Sequence, residues 1–116
     1  MTERANRPVV CTRAKRGFGL APGEERIELL LHRDGLRVER IVSLDYASPD
    51  GFWYDQSDDE WVTILSGSGV LEFDDGERIE LGPGDALLIP AHVRHRVAAT
   101  HSTETTIWLA VHTAAG

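Results

Sequence analysis

Hydrophobic and polar positions alternate along most of this chain, and glycine and proline interrupt the alternation at short intervals. In LRVERIVS, Leu36, Val38, Arg40 and Val42 fall on one face and Arg37, Glu39, Ile41 and Ser43 on the other. That period of two predicts a β-strand. Upstream, GLAPGEE reads as a loop, IELLLHR as a strand or a single helical turn, and Arg33 to Gly35 as a tight turn. Downstream, ASPDG (Ala47 to Gly51) is a turn cluster. Trp61 to Leu65 is an apolar, β-branched strand, Gly67 and Gly69 allow a bend, and Val70 to Phe73 resume the strand. Asp75-Gly76 is a hairpin signal before ERIEL. GPGD makes a further turn, followed by ALLIP, HVRHRVAAT and TTIWLAVHT. From residue 36 onward no segment offers a capped helical stripe. Seven or eight strands at roughly ten-residue spacing predict an all-β sandwich or barrel that closes its own edges.

Composition narrows this picture. A chain of 116 residues with 41% hydrophobic and 27% charged residues has room for one domain and is too apolar for wholesale disorder. No run approaches the roughly 18 apolar residues of a membrane helix, so no membrane partner is expected. The start lacks the apolar stretch of a secretory signal, which predicts a cytoplasmic protein. Cys11 has no partner for an internal disulfide. The net charge of −7 is uneven: Arg4, Arg7, Arg13, Lys15 and Arg16 precede residue 20 against the single acid Glu3. Residues 1–19 read as a basic arm and 20–116 as the barrel. An acidic body repels phosphate backbones, so nucleic acid is not the expected partner.

Polar residues on the inward face of a β-barrel are the informative ones, because burying one without a partner is costly. In GFWYDQSDDEWVTILSG, Tyr54, Gln56, Glu60, Val62 and Ile64 share a parity. Continued alternation through the Ser57 to Asp59 corner would point Tyr54, Gln56 and Glu60 into a cavity. In IPAHVRHRV, His92 and His95 flank a strand entrance, and His95 shares a face with Val97.

These residues resemble the cupin superfamily. Its first motif, G-x5-H-x-H-x(3,4)-E-x6-G, is matched by Glu60-x6-Gly67. Its second, G-x5-P-x-G-x2-H-x3-N, is matched by Gly84-x5-Pro90 and His95. The resemblance spans about residues 36 to 112 and implies a single-domain cupin (RmlC-like jelly-roll) double-stranded β-barrel. The GFWYDQ and IPAHxRHRV patterns are similar to those of small bacterial cupins often labelled mannose-6-phosphate-isomerase-like, a label that reflects fold more than reaction. The departures fall on the ligands. Tyr54 and Gln56 stand where the family has two histidines, Ser48 replaces the opening glycine, His92 the turn glycine, and Ala99 the terminal asparagine.

The resemblance implies a divalent metal, Zn, Fe, Mn or Ni, and Gln56, Glu60 and His95 are the ligands that remain for it. Each also has a structural reading: Gln56 bonded to backbone or water, Glu60 paired with an arginine, His95 bonded to Glu60. Tyr54 is a candidate donor or general acid/base, and His92 a base at the rim or an exposed turn residue whose backbone does not need the left-handed region. Arg40, by its parity with Leu36 and Val38, is a candidate inward guanidinium for a substrate anion or for Glu60. His112 shares a face with Trp108 and Ala110; core or surface placement is expected, with the cavity as the alternative. Trp53 and Trp61 face outward, where aromatics often cover a homodimer partner. The functional expectation is a metal-dependent isomerase, lyase or dioxygenase acting on a small acidic or sugar-like molecule. The alternatives are a metal-free binding cupin without catalysis and an accessory subunit.

Overall fold

Short alternating segments that cannot bury an apolar face alone must pair edge to edge, and here they do so in two facing sheets. The computed structural model describes residues 7–12 and 18–115. Eight strands follow one another: β1 (Glu24–Arg33), β2 (Leu36–Leu44), β3 (Asp58–Ser66), β4 (Gly69–Phe73), β5 (Arg78–Leu81), β6 (Ala86–Ile89), β7 (His95–Thr100) and β8 (Thr106–Ala114). No helix occurs among the described residues, so none is long and apolar enough to cross a membrane. IELLLHR is resolved in favour of the strand reading, within β1. Arg4, Arg13, Lys15 and Arg16 of the basic arm lie outside the described residues.

One sheet runs β1-β2-β8-β3-β6 and the other β5-β4-β7, with antiparallel pairing throughout both. Each hairpin predicted from a glycine turn is present: Gly35 and Gly76 take φ of 71° and 92° between β1 and β2 and between β4 and β5. Val62, Ile64, Leu71, Leu81, Ile89, Val97, Trp108 and Ala110 form the core between the sheets. Gly69 permits the closest approach in it, since a Cβ there would overlap the Trp108 ring.

The alternation in β2 has the opposite sense from the expected one. Arg37, Glu39 and Ile41 line the barrel cavity. Arg40 lies on the other face, where its guanidinium donates from Nε and Nη2 to the Glu28 carboxylate at 3.0 and 3.1 Å and sits 5.8 Å from the Phe18 ring. The inward placement of Arg40 is therefore corrected. Apolar parity identifies the inner face only where the other face is wet. Here the outer face is itself partly covered, and the inner face is the wall of a polar cavity.

Candidate functional site

The loop between β2 and β3 is held against β7 as an irregular extra strand. Ser48 donates its N–H to the Val97 carbonyl (2.8 Å) and accepts the Val97 N–H on Oγ (3.0 Å). Tyr54 and His95 exchange backbone bonds of 2.7 and 3.1 Å, and the His92 N–H donates to the Gln56 carbonyl at 2.7 Å. This stapling lets side chains from an irregular segment reach a defined place. Tyr54, Gln56, Glu60 and His95 all line one cavity of about 330 Å³, of the size that small-molecule sites occupy.

At its centre Glu60 Oε1 lies 3.4 Å from His95 Nε2, with both side chains buried. Gln56 Nε2 donates to the same carboxylate oxygen at 3.2 Å. His95 Nδ1 donates to the Val93 carbonyl at 2.9 Å, which turns Nε2 toward Glu60. Burial disfavours the charged imidazole, but the bond to Glu60, the Val93 carbonyl and the Glu60 charge outweigh it, so the His95 pKa is raised. The Tyr54 ring stacks on His95 with centroids 5.3 Å apart. Burial, and then the charges of nearby carboxylates including Glu25, Glu60 and Glu39, push the phenol far above its ordinary range. Tyr54 is therefore a neutral hydrogen-bond donor at physiological pH.

A second carboxylate–imidazole pair lines the same cavity. His112, buried on β8, donates from Nε2 to Glu39 Oε1 at 3.1 Å, and Arg37 donates from Nε to Glu39 Oε2 at 3.1 Å. His112 and Glu60 are cross-strand partners on β8 and β3. The structure thus takes the cavity alternative for His112. Glu25 also lines the cavity, and its carboxyl is pushed up by burial against a weaker opposing bond from Ser43. Sequence reading missed Arg37, Glu39 and Glu25 as site residues. The signal was the pair of charged residues at alternate positions 37 and 39, placed by the sequence reading on the face opposite Leu36, Val38, Arg40 and Val42.

Of the expected site residues, two are not in the cavity. Arg40 is bound to Glu28 on the far face of β2. His92 is a turn residue whose side chain is 70% exposed and 2.8 Å from Asp55. Its φ of 64° is left-handed, so the expectation about its backbone is also corrected: the turn is left-handed here with histidine where the family has glycine. A histidine tolerates this better than a β-branched residue does.

The chain matches the Cupin domain family over residues 49–112 and belongs to it. It is similar to a Ralstonia eutropha JMP134 protein that carries the provisional name of a mannose-6-phosphate isomerase, at 45% identity and a TM-score of 0.79, covering 90% of this chain and 99% of that one. Two further structures share the fold. A cupin superfamily protein of Desulfitobacterium hafniense DCB-2 is 21% identical, with a TM-score of 0.68 and coverage of 93% and 91%. An RmlC-like cupin of Methanocaldococcus jannaschii with a double-stranded β-helix fold is 16% identical, with a TM-score of 0.70 and coverage of 88% and 87%. No curated protein matches the chain. Arg37, Glu39 and Glu25 lie outside the family match.

Cupins commonly bind metals, and the residues here can be tested against that habit. Gln56, Glu60 and His95 do come together, but as a hydrogen-bonded set in which the Gln56 amide N–H and the imidazole both address Glu60 Oε1. Among the described residues no group of three His, Cys, Asp or Glu side chains is arranged to hold a metal ion. One imidazole and one carboxylate, with a phenol and an amide in the other two places, do not fit the family's cage of three histidines and a glutamate.

Proposed function

We propose that this cupin binds a small carbonyl or hydroxyl compound in its barrel and moves a proton on it, as an isomerase does. The observation that carries the reading is the buried Glu60–His95 pair, at 3.4 Å, facing a cavity that mixes apolar walls such as Val62, Leu71 and Trp108 with further polar side chains. A carboxylate and an imidazole of raised pKa can divide the labour, Glu60 as base and protonated His95 as acid. Tyr54 supplies a fixed O–H donor for a substrate oxygen, and Gln56 orients the Glu60 carboxylate. The provisional name of the Ralstonia relative supports the same reaction class. No step of this reading runs through a metal.

The test needs no known product. Candidate aldoses and ketoses are incubated with the protein in D2O, and exchange at the carbon next to the carbonyl is followed by NMR. Exchange is expected for at least one of them, to survive treatment with a chelator, and to fall by about a hundredfold or more in Glu60→Gln and His95→Asn. Exchange unchanged in both variants would overturn the acid/base assignment. Exchange lost on chelation would overturn its independence from metal. A second reading, a binding cupin without turnover, is favoured by ligand binding with no exchange at all.

A further inference from the structure

The charges lining the cavity are unequal. Glu25, Glu39 and Glu60 bring three carboxylates to it, while Arg37 is the only arginine or lysine among the described lining residues and His95 adds a second cation when protonated. That guanidinium is already engaged, with Nε 3.1 Å from Glu39 and Nη1 3.7 Å from Asp58. Arg40, which would have narrowed the difference, is turned to the far face against Glu28. Among the described residues Glu25 forms no ion pair: its hydrogen-bond partner is the Ser43 hydroxyl at 3.3 Å, and burial pushes its carboxyl up. The donors in reach of a ligand are Tyr54, the Gln56 amide and the His95 imidazole, set among carboxylate acceptors.

We infer that the cavity selects an uncharged polyhydroxylated molecule and rejects its phosphate ester, with Glu25 and Glu39 setting that selectivity. The inference rests on the cavity being the substrate site and adds the charge class of what enters it. Hydroxyl groups can donate to the carboxylates, and apolar walls such as Ile41, Val62 and Trp108 can cover the carbon faces of a small sugar. A phosphate, mostly a dianion near neutral pH, has little to donate to the carboxylates, and the negative charge that remains after Arg37 and His95 are set against Glu25, Glu39 and Glu60 repels it more strongly in a partly buried site than in water. Such repulsion discriminates between ligands that share every other contact. A carboxylate-lined cavity is therefore at odds with a hexose 6-phosphate as the substrate.

Calorimetric titration of the full chain with D-mannose and with D-mannose 6-phosphate tests this. Mannose is expected to bind about tenfold or more tightly than its phosphate ester at low ionic strength. The gap should narrow in high salt and in Glu25→Gln, a nearly isosteric change at a partly exposed position. The salt series uses the unaltered protein and so stands even if the variant folds poorly. Equal or tighter binding of the phosphate ester, or a gap unmoved by both salt and Glu25→Gln, would overturn the inference. Binding of neither sugar would overturn the polyhydroxylated class, while the exchange experiment on Glu60 and His95 judges the proton-transfer reading separately.

Discussion

Two carboxylate–imidazole pairs share the cavity, and they are built differently. In Glu60–His95 the imidazole is held from behind by the Val93 carbonyl, and its Nε2 is 3.4 Å from a carboxylate to which Gln56 also donates. In Glu39–His112 the bond is shorter, 3.1 Å, the second carboxylate oxygen is taken by Arg37, and His112 Nδ1 is buried with no hydrogen-bond partner among the described residues. A guanidinium beside Glu39 fixes a charge there. Among the described residues only His95 itself forms an ion pair with Glu60. The first pair is thus suited to exchanging a proton, and the second to holding a charge in place. The same two residue types do different work because of what sits on the carboxylate's other oxygen.

The comparison can be broken most severely by Glu39→Ala. Removing that carboxylate leaves Arg37 and the buried His112 without their shared acceptor, and a loss of about 2 kcal/mol is expected in urea unfolding, in the range for bonds to charged groups. A loss under about 0.5 kcal/mol, no more than an ordinary surface change, would show that the Arg37–Glu39–His112 array holds nothing.

The pH dependence sharpens the contrast further. The His95 pKa is raised above 6.5 in the folded state, so the folded chain keeps this proton more tightly than the unfolded one. Its contribution is fully present below the ordinary imidazole value and is lost as pH rises through the raised one. Glu25 behaves with the same sign in a lower window, since burial raises it above 4.5. Stability should therefore fall with rising pH across both windows. His95→Gln should flatten the upper fall and Glu25→Gln the lower one, as read from denaturant midpoints against pH. An upper slope unchanged in His95→Gln would remove His95 as its source.

The smallest effect is expected outside the barrel. Arg40→Met breaks the pair with Glu28, which is partly exposed, and should cost less than about 1 kcal/mol. It should leave sugar binding in the cavity unaltered. A changed affinity would return Arg40 to the site.

The fold was legible because the signals that carry it are local. Alternation in LRVERIVS, the Asp75-Gly76 turn and the glycine-punctuated run from Trp61 each imply a strand or hairpin from neighbouring residues, and all became β2, the β4–β5 hairpin and β3–β4. Half of the candidate site was legible for the same reason: the parity of Tyr54, Gln56 and Glu60, joined to His95 by the family motif, placed all four around one cavity. The other half was not. Arg37 and Glu39 look like the wet face of β2, and only the neighbouring strands show that this face is the cavity wall. Left-handed His92 was missed because a residue type other than glycine does not announce a positive φ.

The order of residues by itself determined that this chain makes strands, where most of them turn, and which family they build, because strand periodicity and turn chemistry act over a few residues. Only the tertiary structure decided which face of β2 looks inward, that His112 joins the cavity, and that Arg40 stays out. Those outcomes depend on what packs against each face from strands far away in the chain, and alternation alone is symmetric between the two sides.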